Sequence, residues 1–284
     1  MASLLLLKRK IKTTQNVSKT TKAMQMIAAS KLNRAQIAAL ASRPFVDKIS
    51  NLTNSAAFKL DEEQKHPYML ENKNEKTLVI VFSPDKGLCG ALVTNLLREV
   101  VEFDSKNKNV SYVAVGKKSQ IALSTLNKDI IAAFDFGTTL PSFSQVFPIL
   151  EIINEQYLSG KIGSVKIIYT NFKNVFLQAP VVSNLLPIKL DPEKIEKETS
   201  ETLFEPSPAE ILPSLLTQYI EMNLYQFFLE NYLSYQAAQM VAMQNATDNA
   251  NELIKNLKLE YNKSRQEKIT NEILDISSAA IMSL

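Results

Sequence analysis

The segment SPDKGLCG at residues 83–90 is the best candidate in the sequence for a site that performs chemistry. It follows the apolar run TLVIVF and precedes a helical pattern, which is where phosphate-binding loops occur. It contains neither GxxxxGK[ST] nor GxGxxG, the patterns by which such loops hold phosphate. The sequence therefore favours a tight strand-to-helix turn around Lys86 over a nucleotide site.

The remaining reactive side chains do not form a catalytic set. Cys89 is the only cysteine and has no histidine near it in sequence, so we expect a packed small thiol and not a nucleophile. His66 is the only histidine, and in KHPY we expect it to cap a turn or face solvent. We expect Asp61, Glu62 and Glu63 to form a solvated loop face. The sequence predicts no catalytic residue, cofactor or metal site, and its single histidine and single cysteine exclude most zinc chemistry.

Positive charge is concentrated at the N-terminus. Nine basic residues precede the first acidic residue, Asp47, although the net charge of the 284-residue chain is only +3. This pattern is typical of a cleaved transit peptide, a nucleic-acid arm or a helix that faces an acidic protein partner. No aromatic residue that could stack on bases occurs before Phe45, which weakens the nucleic-acid interpretation. The nine residues are Lys8, Arg9, Lys10, Lys12, Lys19, Lys22, Lys31, Arg34 and Arg43.

Long helices must carry these charges, because the helix-breaking residues are absent from both ends of the chain. Neither glycine nor proline occurs in residues 1–43 or 214–284. Apolar residues in both tracts recur mostly at three- and four-residue steps, the pattern of an amphipathic helix. A helix over residues 214–284 would be about 100 Å long, and an isolated amphipathic helix of this kind is not stable. We therefore predict that the two ends pair as an antiparallel coiled coil.

The uncharged C-terminal ending ISSAAIMSL is unusual for the tip of such a rod. Its apolar residues predict a hydrophobic socket in another protein, because an exposed apolar tip would otherwise favour aggregation. These residues are Ile276, Ile281, Met282 and Leu284.

The middle of the chain alternates short β-branched runs with helical patterns. This alternation predicts a parallel sheet covered on both faces, with the last two strands forming a hairpin at one edge. The predicted fold class is α/β: a long antiparallel N- and C-terminal coiled coil with a small inserted Rossmann-like domain. The predicted segments are an N-terminal coiled-coil helix (1–60), a connecting loop (61–76), the α/β domain (77–190), a linker (191–213) and a C-terminal coiled-coil helix (214–284).

Several blocks of the sequence resemble the gamma subunit of F-type ATP synthases. TTKAMQMIAASKLNRAQ resembles the ITKAM block near the family's N-terminus, and KHPYML, SPDKGLCGALVTNL and FEPSP resemble segments of its middle. QAAQMVAMQNATDNANELI and LEYNKSRQEKITNEILDI resemble its most specific C-terminal signature. The blocks occur in the same order as in the family and cover nearly the whole chain.

The resemblance implies the central shaft of a rotary enzyme. Three alpha and three beta subunits would surround the coiled coil, and the α/β domain would meet the epsilon subunit and a membrane ring of c subunits. The nine basic residues of the N-terminal helix, its basic stripe, would face acidic loops of beta. The apolar C-terminal tip would rotate inside a hydrophobic socket. Catalysis would belong to alpha and beta, so the chain itself would be a non-catalytic subunit.

The resemblance also implies roles for individual residues. Lys22 and Met24 match the family's coupling segment, and Lys31 and Arg34 match later basic contacts to beta. On the opposite helix Gln266, Thr270 and Glu272 match polar positions near that segment. Arg265 matches the arginine of the family's YN-ARQ motif, and Glu205 matches the acid near the c-ring foot. Tyr235 and Gln239 stand where the family often has Glu and Arg, so the resemblance does not imply a charged contact at these positions.

Two alternatives follow from the residues themselves. The acid-free N-terminus would suit a basic coiled-coil protein that binds nucleic acid, and SPDKGLCG would suit a small nucleotide-binding α/β enzyme. Both alternatives stay open on the residues alone. The family resemblance, by contrast, predicts no nucleic acid among the partners. The family blocks begin almost at Met1, which favours a bacterial protein or an already mature organellar one. Of these we expect the bacterial protein, peripheral on the cytoplasmic side of the inner membrane.

Overall fold

The two glycine-free ends of the chain form its two longest helices. The structure is a computed structural model that describes residues 4–60, 66–72, 74–107, 109–189 and 203–282, with side chains described as far as residue 277. Helix α1 spans Leu4–Phe58 and comprises 55 residues. It continues through Pro44, whose missing N–H leaves the Leu40 carbonyl without its usual helical donor.

The C-terminal helix, α5, spans Pro208–Met282 and comprises 75 residues. It therefore begins six residues before the predicted start at residue 214. Ser207 explains the earlier start, because its hydroxyl accepts the Glu210 N–H at 3.3 Å and lies 3.1 Å from the Glu210 carboxylate. Ser207 is thus the N-cap of α5, and Pro208 occupies the first helical position, where a missing N–H costs nothing.

Between these helices, the described residues form five strands and three shorter helices. The strands are β1 (Thr77–Phe82), β2 (Val110–Val115), β3 (Ile130–Phe134), β4 (Ser164–Phe172) and β5 (Gln178–Leu186). The helices are α2 (Leu92–Lys106), α3 (Lys117–Thr125) and α4 (Phe147–Leu158), and short 3-10 turns occur at Pro67–Met69 and Phe143–Val146.

The strands form one mixed sheet in the order β3-β2-β1-β4-β5. Strands β1 to β4 pair in parallel, and β5 pairs antiparallel with β4 at one edge. Thr77 of β1 is aligned with Val110 of β2 on one side and with Ser164 of β4 on the other. The predicted parallel sheet with an edge hairpin is therefore confirmed.

Both faces of the sheet are covered, but by different parts of the chain. Val79 and Val81 pack with α2 and α3 through side chains such as Leu96 and Leu123. Phe82 points to the opposite face, because successive side chains of a strand alternate, and its ring lies 4.8 Å from that of Phe228 on α5. The long C-terminal helix thus supplies part of the second layer itself.

Contacts between Cα atoms divide the chain into two units. One unit comprises the residues up to Ala28 and those from Gln239 onward, and the other comprises Ala29–Ala238. The second unit is larger than the predicted α/β domain of residues 77–190. The reason is that segments of α1 and α5 belong to it, and α5 packs directly on the sheet.

In the first unit, α1 and α5 run antiparallel. Ser18 donates to Asn251 Oδ1 at 2.7 Å, and Gln25 donates to Gln244 Oε1 at 3.3 Å. An advance of seven residues along α1 therefore matches a retreat of seven along α5. Thr21 and Thr247 share a hydrogen bond of 2.7 Å between these pairs. The predicted antiparallel pairing is confirmed.

Candidate partner-binding surfaces

The loop after β1 is anchored by a carboxylate. Asp85 accepts the Lys117 N–H at 2.9 Å, the Phe136 N–H at 3.1 Å and the Gly137 N–H at 2.7 Å. Lys117 is the first residue of α3, so the carboxylate lies at a helix N-terminus, where the helix dipole favours a negative charge. One side chain thereby ties the SPDKGLCG loop to the start of α3 and to the segment after β3.

The remainder of this loop forms a tight turn into α2. The Leu92 N–H donates to the Cys89 carbonyl at 3.3 Å, and the Val93 N–H is directed at the Cys89 thiol. These first amide groups of α2 are the donors that a bound phosphate would need. The geometry agrees with the turn that the sequence favoured at this position.

Cys89 is a buried core residue. It packs with Leu92, Tyr235 and Ala238, and burial raises the pKa of its thiol. A raised pKa lowers the thiolate fraction and makes a poor nucleophile. The prediction of a packed small thiol is confirmed. Tyr235, one of the departures from the family pattern, contributes apolar packing at this contact.

His66 caps the short 3-10 turn that begins at Pro67. Its Nδ1 accepts the Tyr68 N–H at 3.3 Å, and burial lowers the pKa of its imidazole. Its ring lies 4.6 Å from the Tyr68 ring, and both residues line an open cleft with Glu221 of α5. The expected capping role is confirmed. The acids Asp61, Glu62 and Glu63 lie outside the described residues.

The basic stripe of α1 faces outward in the first unit. All six of its basic side chains between residues 4 and 28 are exposed. Lys22 donates to Gln25 Oε1 on its own helix at 3.1 Å, and Met24 is half-buried. The exposed six are Lys8, Arg9, Lys10, Lys12, Lys19 and Lys22.

The other two predicted basic contacts differ from each other. Arg34 is exposed, as a side chain that contacts another protein must be. Lys31 is half-buried, and its ammonium donates to the Thr138 carbonyl at 2.6 Å, beside the segment that Asp85 anchors. Lys31 therefore has a partner within its own chain, which the sequence did not predict.

The predicted polar positions on α5 are exposed but do not lie near Met24. The pairing of Ser18 with Asn251 and of Gln25 with Gln244 puts Met24 opposite residue 245. Thr270 is 25 residues further along α5, about 37 Å at the rise of an α-helix. The expected closeness of the two sets is therefore wrong, because the antiparallel register separates them. The exposed positions are Arg265, Gln266, Thr270 and Glu272, of which Glu272 pairs with Lys268 at 3.5 Å.

The last described part of α5 has no α1 residue opposite it. The same register places Leu4, the first residue of α1, opposite Arg265. Every described side chain from 266 to 277 is exposed. Ile269, Ile273 and Ile276 recur at helical spacing and form an apolar stripe on this segment. Of the predicted apolar tip, Ile276 is exposed, while the side chains of Ile281, Met282 and Leu284 lie outside the described residues.

Glu205 is exposed in the segment that leads into α5. The preceding residue, Phe204, is held by Lys59, whose ammonium lies 5.1 Å from the centre of the ring. This cation-π contact and the Ser207 cap fix the segment on either side of Glu205. The carboxylate is thus available to a partner.

Asp85 is a structural anchor that sequence reasoning missed. An acidic residue just after a buried strand and before a glycine-rich turn is a signal for such an anchor. Its backbone partners lie 32 to 52 residues away in the sequence, so no local pattern could identify them.

Within the described part of the chain, no helix has the length and hydropathy needed to cross a membrane.

Comparison with known proteins agrees with the resemblance seen in the sequence. A family model described as ATP synthase matches residues 3–281. The chain is 40% identical to the ATP synthase gamma chain of Dehalococcoides mccartyi over 282 residues, which cover 99% of both chains. It is 39% identical to the ATP synthase gamma chain of Methylacidiphilum infernorum, with 98% of both chains covered.

Solved structures share the fold at lower identity. A chain from the rotor of the Euglena gracilis mitochondrial ATP synthase is 22% identical, with a TM-score of 0.67 over 94% of this chain and 98% of that one. A chain from the central stalk and c ring of the Tetrahymena thermophila mitochondrial enzyme is 24% identical, with a TM-score of 0.61 over 80% and 99%. The full-length matches to curated relatives establish the family: the chain belongs to the ATP synthase gamma chains.

Proposed function

We propose that this chain is the central rotating shaft of a proton-transporting F-type ATP synthase. It couples ion-driven rotation of a c ring to ATP synthesis or hydrolysis in a catalytic head. The observation that carries the proposal is the antiparallel pair of α1 and α5 in a gamma chain, with an exposed basic face on α1. As a gamma chain it is a non-catalytic subunit of the enzyme.

The mechanism follows from asymmetry. A single shaft presents different side chains in different directions, so three identical catalytic subunits around it cannot make the same contacts. Each contact stabilises one conformation of a catalytic subunit and thereby sets its nucleotide affinity. When the shaft turns, the three subunits exchange these states, and the energy of rotation is used to release ATP.

Many contacts must act together, because one exposed ion pair contributes less free energy than a tenfold change in nucleotide affinity requires. A tenfold change in nucleotide affinity corresponds to about 1.4 kcal/mol. An exposed ion pair contributes only about 0.2–1 kcal/mol. A set of basic residues on one helix is therefore a suitable surface, whereas a single charge would change affinity too little.

The proposed partners are three alpha and three beta subunits around the helix pair, with an epsilon subunit and a c ring at the α/β domain of residues 77–190. Lys22, Met24 and Arg34 would contact beta subunits, and Glu205 would lie near the c ring. The exposed polar positions of α5 would contact the upper part of the head: Arg265, Gln266, Thr270 and Glu272. The complex would be membrane-associated, with this chain peripheral on the cytoplasmic side of a bacterial inner membrane.

The partner assignment is tested by native mass spectrometry of the tagged chain purified gently from its own membranes. One copy of the chain with three alpha and three beta subunits is the expected result. Recovery of the chain alone, or with DNA or RNA, would overturn it and favour the nucleic-acid alternative, which the comparisons do not support.

The basic contacts are tested separately by charge reversal in the assembled enzyme. Arg34→Glu, alone and with Lys22→Glu, should lower coupled ATP synthesis, and the double variant should lower it more. Arg98→Glu is the matched control, because Arg98 is also an exposed arginine but lies on α2. Full coupled synthesis in the double variant would show that these residues do not contact beta.

A further inference from the structure

Three parts of the second unit converge on residues 136–138. Asp85, in the loop after β1, accepts the N–H groups of Phe136 and Gly137 at 3.1 and 2.7 Å. Lys31 of α1 donates to the Thr138 carbonyl at 2.6 Å. The Phe136 ring stacks on that of Phe228 of α5, with centres 5.7 Å apart. We call these six residues the junction.

Within the junction, residues 136–138 are held by contacts from three sides: the loop after β1, α1 and α5. Phe136 is almost fully buried, so its ring cannot leave the α5 surface without opening a cavity. Gly137 has a φ of +87°, a conformation that glycine adopts readily, so the turn can present its two N–H groups to one carboxylate. Both polar contacts involve a charged group, which makes them stronger than neutral hydrogen bonds.

The aromatic contacts extend the junction to the centre of the sheet. Phe228 also touches Phe82, the last residue of β1, at 4.8 Å. Phe136 lies 6.4 Å from Tyr232, one helical turn further along α5. β1 is the central strand of the sheet. Aromatic contacts connect it to α5, and Asp85, the 136–138 segment and Lys31 connect it to α1.

We propose that the junction fastens the long helices to the α/β sheet, so that torque applied to the sheet reaches the helices without slippage. This inference rests on the proposed function, because it concerns the path of torque within the shaft. Lys31 and Asp85 are positioning residues: they act through the 136–138 segment and need touch no other subunit. Lys31 thereby has a role different from the beta contact that the resemblance implies.

The test uses the complete enzyme with Lys31→Met, Asp85→Asn and the double variant. Lys31→Met removes the donor to Thr138, and Asp85→Asn removes one of the two acceptor oxygens. Lys31→Arg keeps a cationic donor and serves as the rescue variant. Lys106→Met is the matched control, because the ammonium of Lys106 pairs with Glu102 within one helix and links no two elements.

Two readouts separate torque transmission from stability. The first is the number of protons pumped per ATP hydrolysed in inverted membrane vesicles. The second is the angular spread of a bead attached to the α/β domain while the catalytic head is immobilised. Both are normalised to assembled complexes, so a loss of folding or assembly does not alter them.

We expect a wider angular spread and a loss of pumping per ATP in Lys31→Met and in Asp85→Asn, with recovery in Lys31→Arg and no change in Lys106→Met. The double variant should be no worse than the stronger single variant, since both act through one segment. Native spread and pumping in both single variants would overturn the inference while leaving the proposed function intact. Failure of the unmodified chain to assemble or rotate would instead refute the proposed function.

Discussion

At the scale of single residues, the α/β domain depends on close backbone approaches. Gly116 has a φ of +102° and separates β2 from α3. A Cβ atom at this position would overlap the Ser83 carbonyl oxygen. The Ser83 hydroxyl also accepts the Ser119 N–H at 2.7 Å, so the site cannot expand without breaking a buried hydrogen bond.

Gly116→Ala should therefore lower the free energy of unfolding by about 2 kcal/mol or more, because overpacking adds to the cost of an unfavourable φ. Gly160→Ala is the matched control: its φ is +71°, but nothing lies within 4 Å of the added Cβ. The control should lose only about 1 kcal/mol, the cost of the left-handed conformation. Urea denaturation of the purified chain measures both, and equal losses would contradict the argument.

His66 should make stability depend on pH in a simple way. Burial lowers the pKa of its imidazole in the folded chain, so the unfolded chain binds the proton more readily. The contribution of His66 to the stability of the folded chain is present above pH 6.5. It is lost as the pH falls through the lowered pKa that the imidazole has in the folded chain. His66→Asn keeps a side-chain acceptor for the Tyr68 N–H but cannot titrate, so its denaturation midpoint, relative to that of the unmodified chain, should rise as pH falls from 7.5 to 5.

The pH dependence that is due to histidine can be assigned to one residue, because His66 is the only histidine in the sequence. Glu221 faces the same cleft, and burial raises the pKa of its carboxyl group. Its contribution has the opposite sign, since stability gained by protonation increases as pH falls, and it is present in both proteins. The difference between the two pH profiles therefore isolates the histidine. Identical profiles would show that the imidazole is not perturbed.

At the scale of elements, the end of the helix pair depends on a narrow buried face. Leu7 is 1% exposed, whereas its neighbour Leu6 is 46% exposed. Adjacent positions on a helix point about 100° apart, so only one of them can face the partner helix. The pairing register puts this end of α1 opposite the α5 residues that precede Arg265.

Leu7→Ala should lower the free energy of unfolding of this unit by about 2–4 kcal/mol. Leu6→Ala should change it by less than about 0.5 kcal/mol, as expected for a surface position. Hydrogen exchange of the amides in the first turns of α1 measures the effect where it occurs. Comparable deprotection in both variants would show that the helix end is not packed through Leu7.

At the scale of the whole molecule, the first unit exposes two chemically different surfaces. The basic face of α1 and the apolar stripe near the end of α5 are both exposed there. Ile273 and Ile276 are 60% and 71% exposed. A contiguous apolar surface of this kind indicates an interaction with another protein, or causes self-association in its absence.

Replacing Ile273 and Ile276 together by glutamine should keep the isolated chain monomeric at higher concentration, as measured by analytical ultracentrifugation. The unfolding free energy should change by less than about 0.5 kcal/mol, because both side chains are exposed. Ile121→Gln is the control: it is 61% exposed as well, but it lies on α3. An equal effect of Ile121→Gln would mean that overall surface hydrophobicity, and not this stripe, drives association.

Local pattern in the sequence was sufficient to predict the long terminal helices and the parallel sheet with its edge hairpin. The antiparallel pairing followed because isolated helices of this kind are unstable, and the family was indicated by the resemblance of whole sequence blocks. Helix periodicity, buried β-branched runs and the positions of glycine and proline all act within a few residues. The same patterns identified the basic face of α1 and the turn at Lys86.

The tertiary structure alone decided which side chains meet. Lys31 and Thr138 are 107 residues apart, and Asp85 finds its Gly137 partner 52 residues away. Such contacts depend on how helices and strands pack, which neighbouring residues do not encode. The register likewise separates Met24 from Thr270, and the burial of Phe228 shows that α5 is also a layer of the α/β domain. Sequence therefore determined the elements, and packing determined the junction between them.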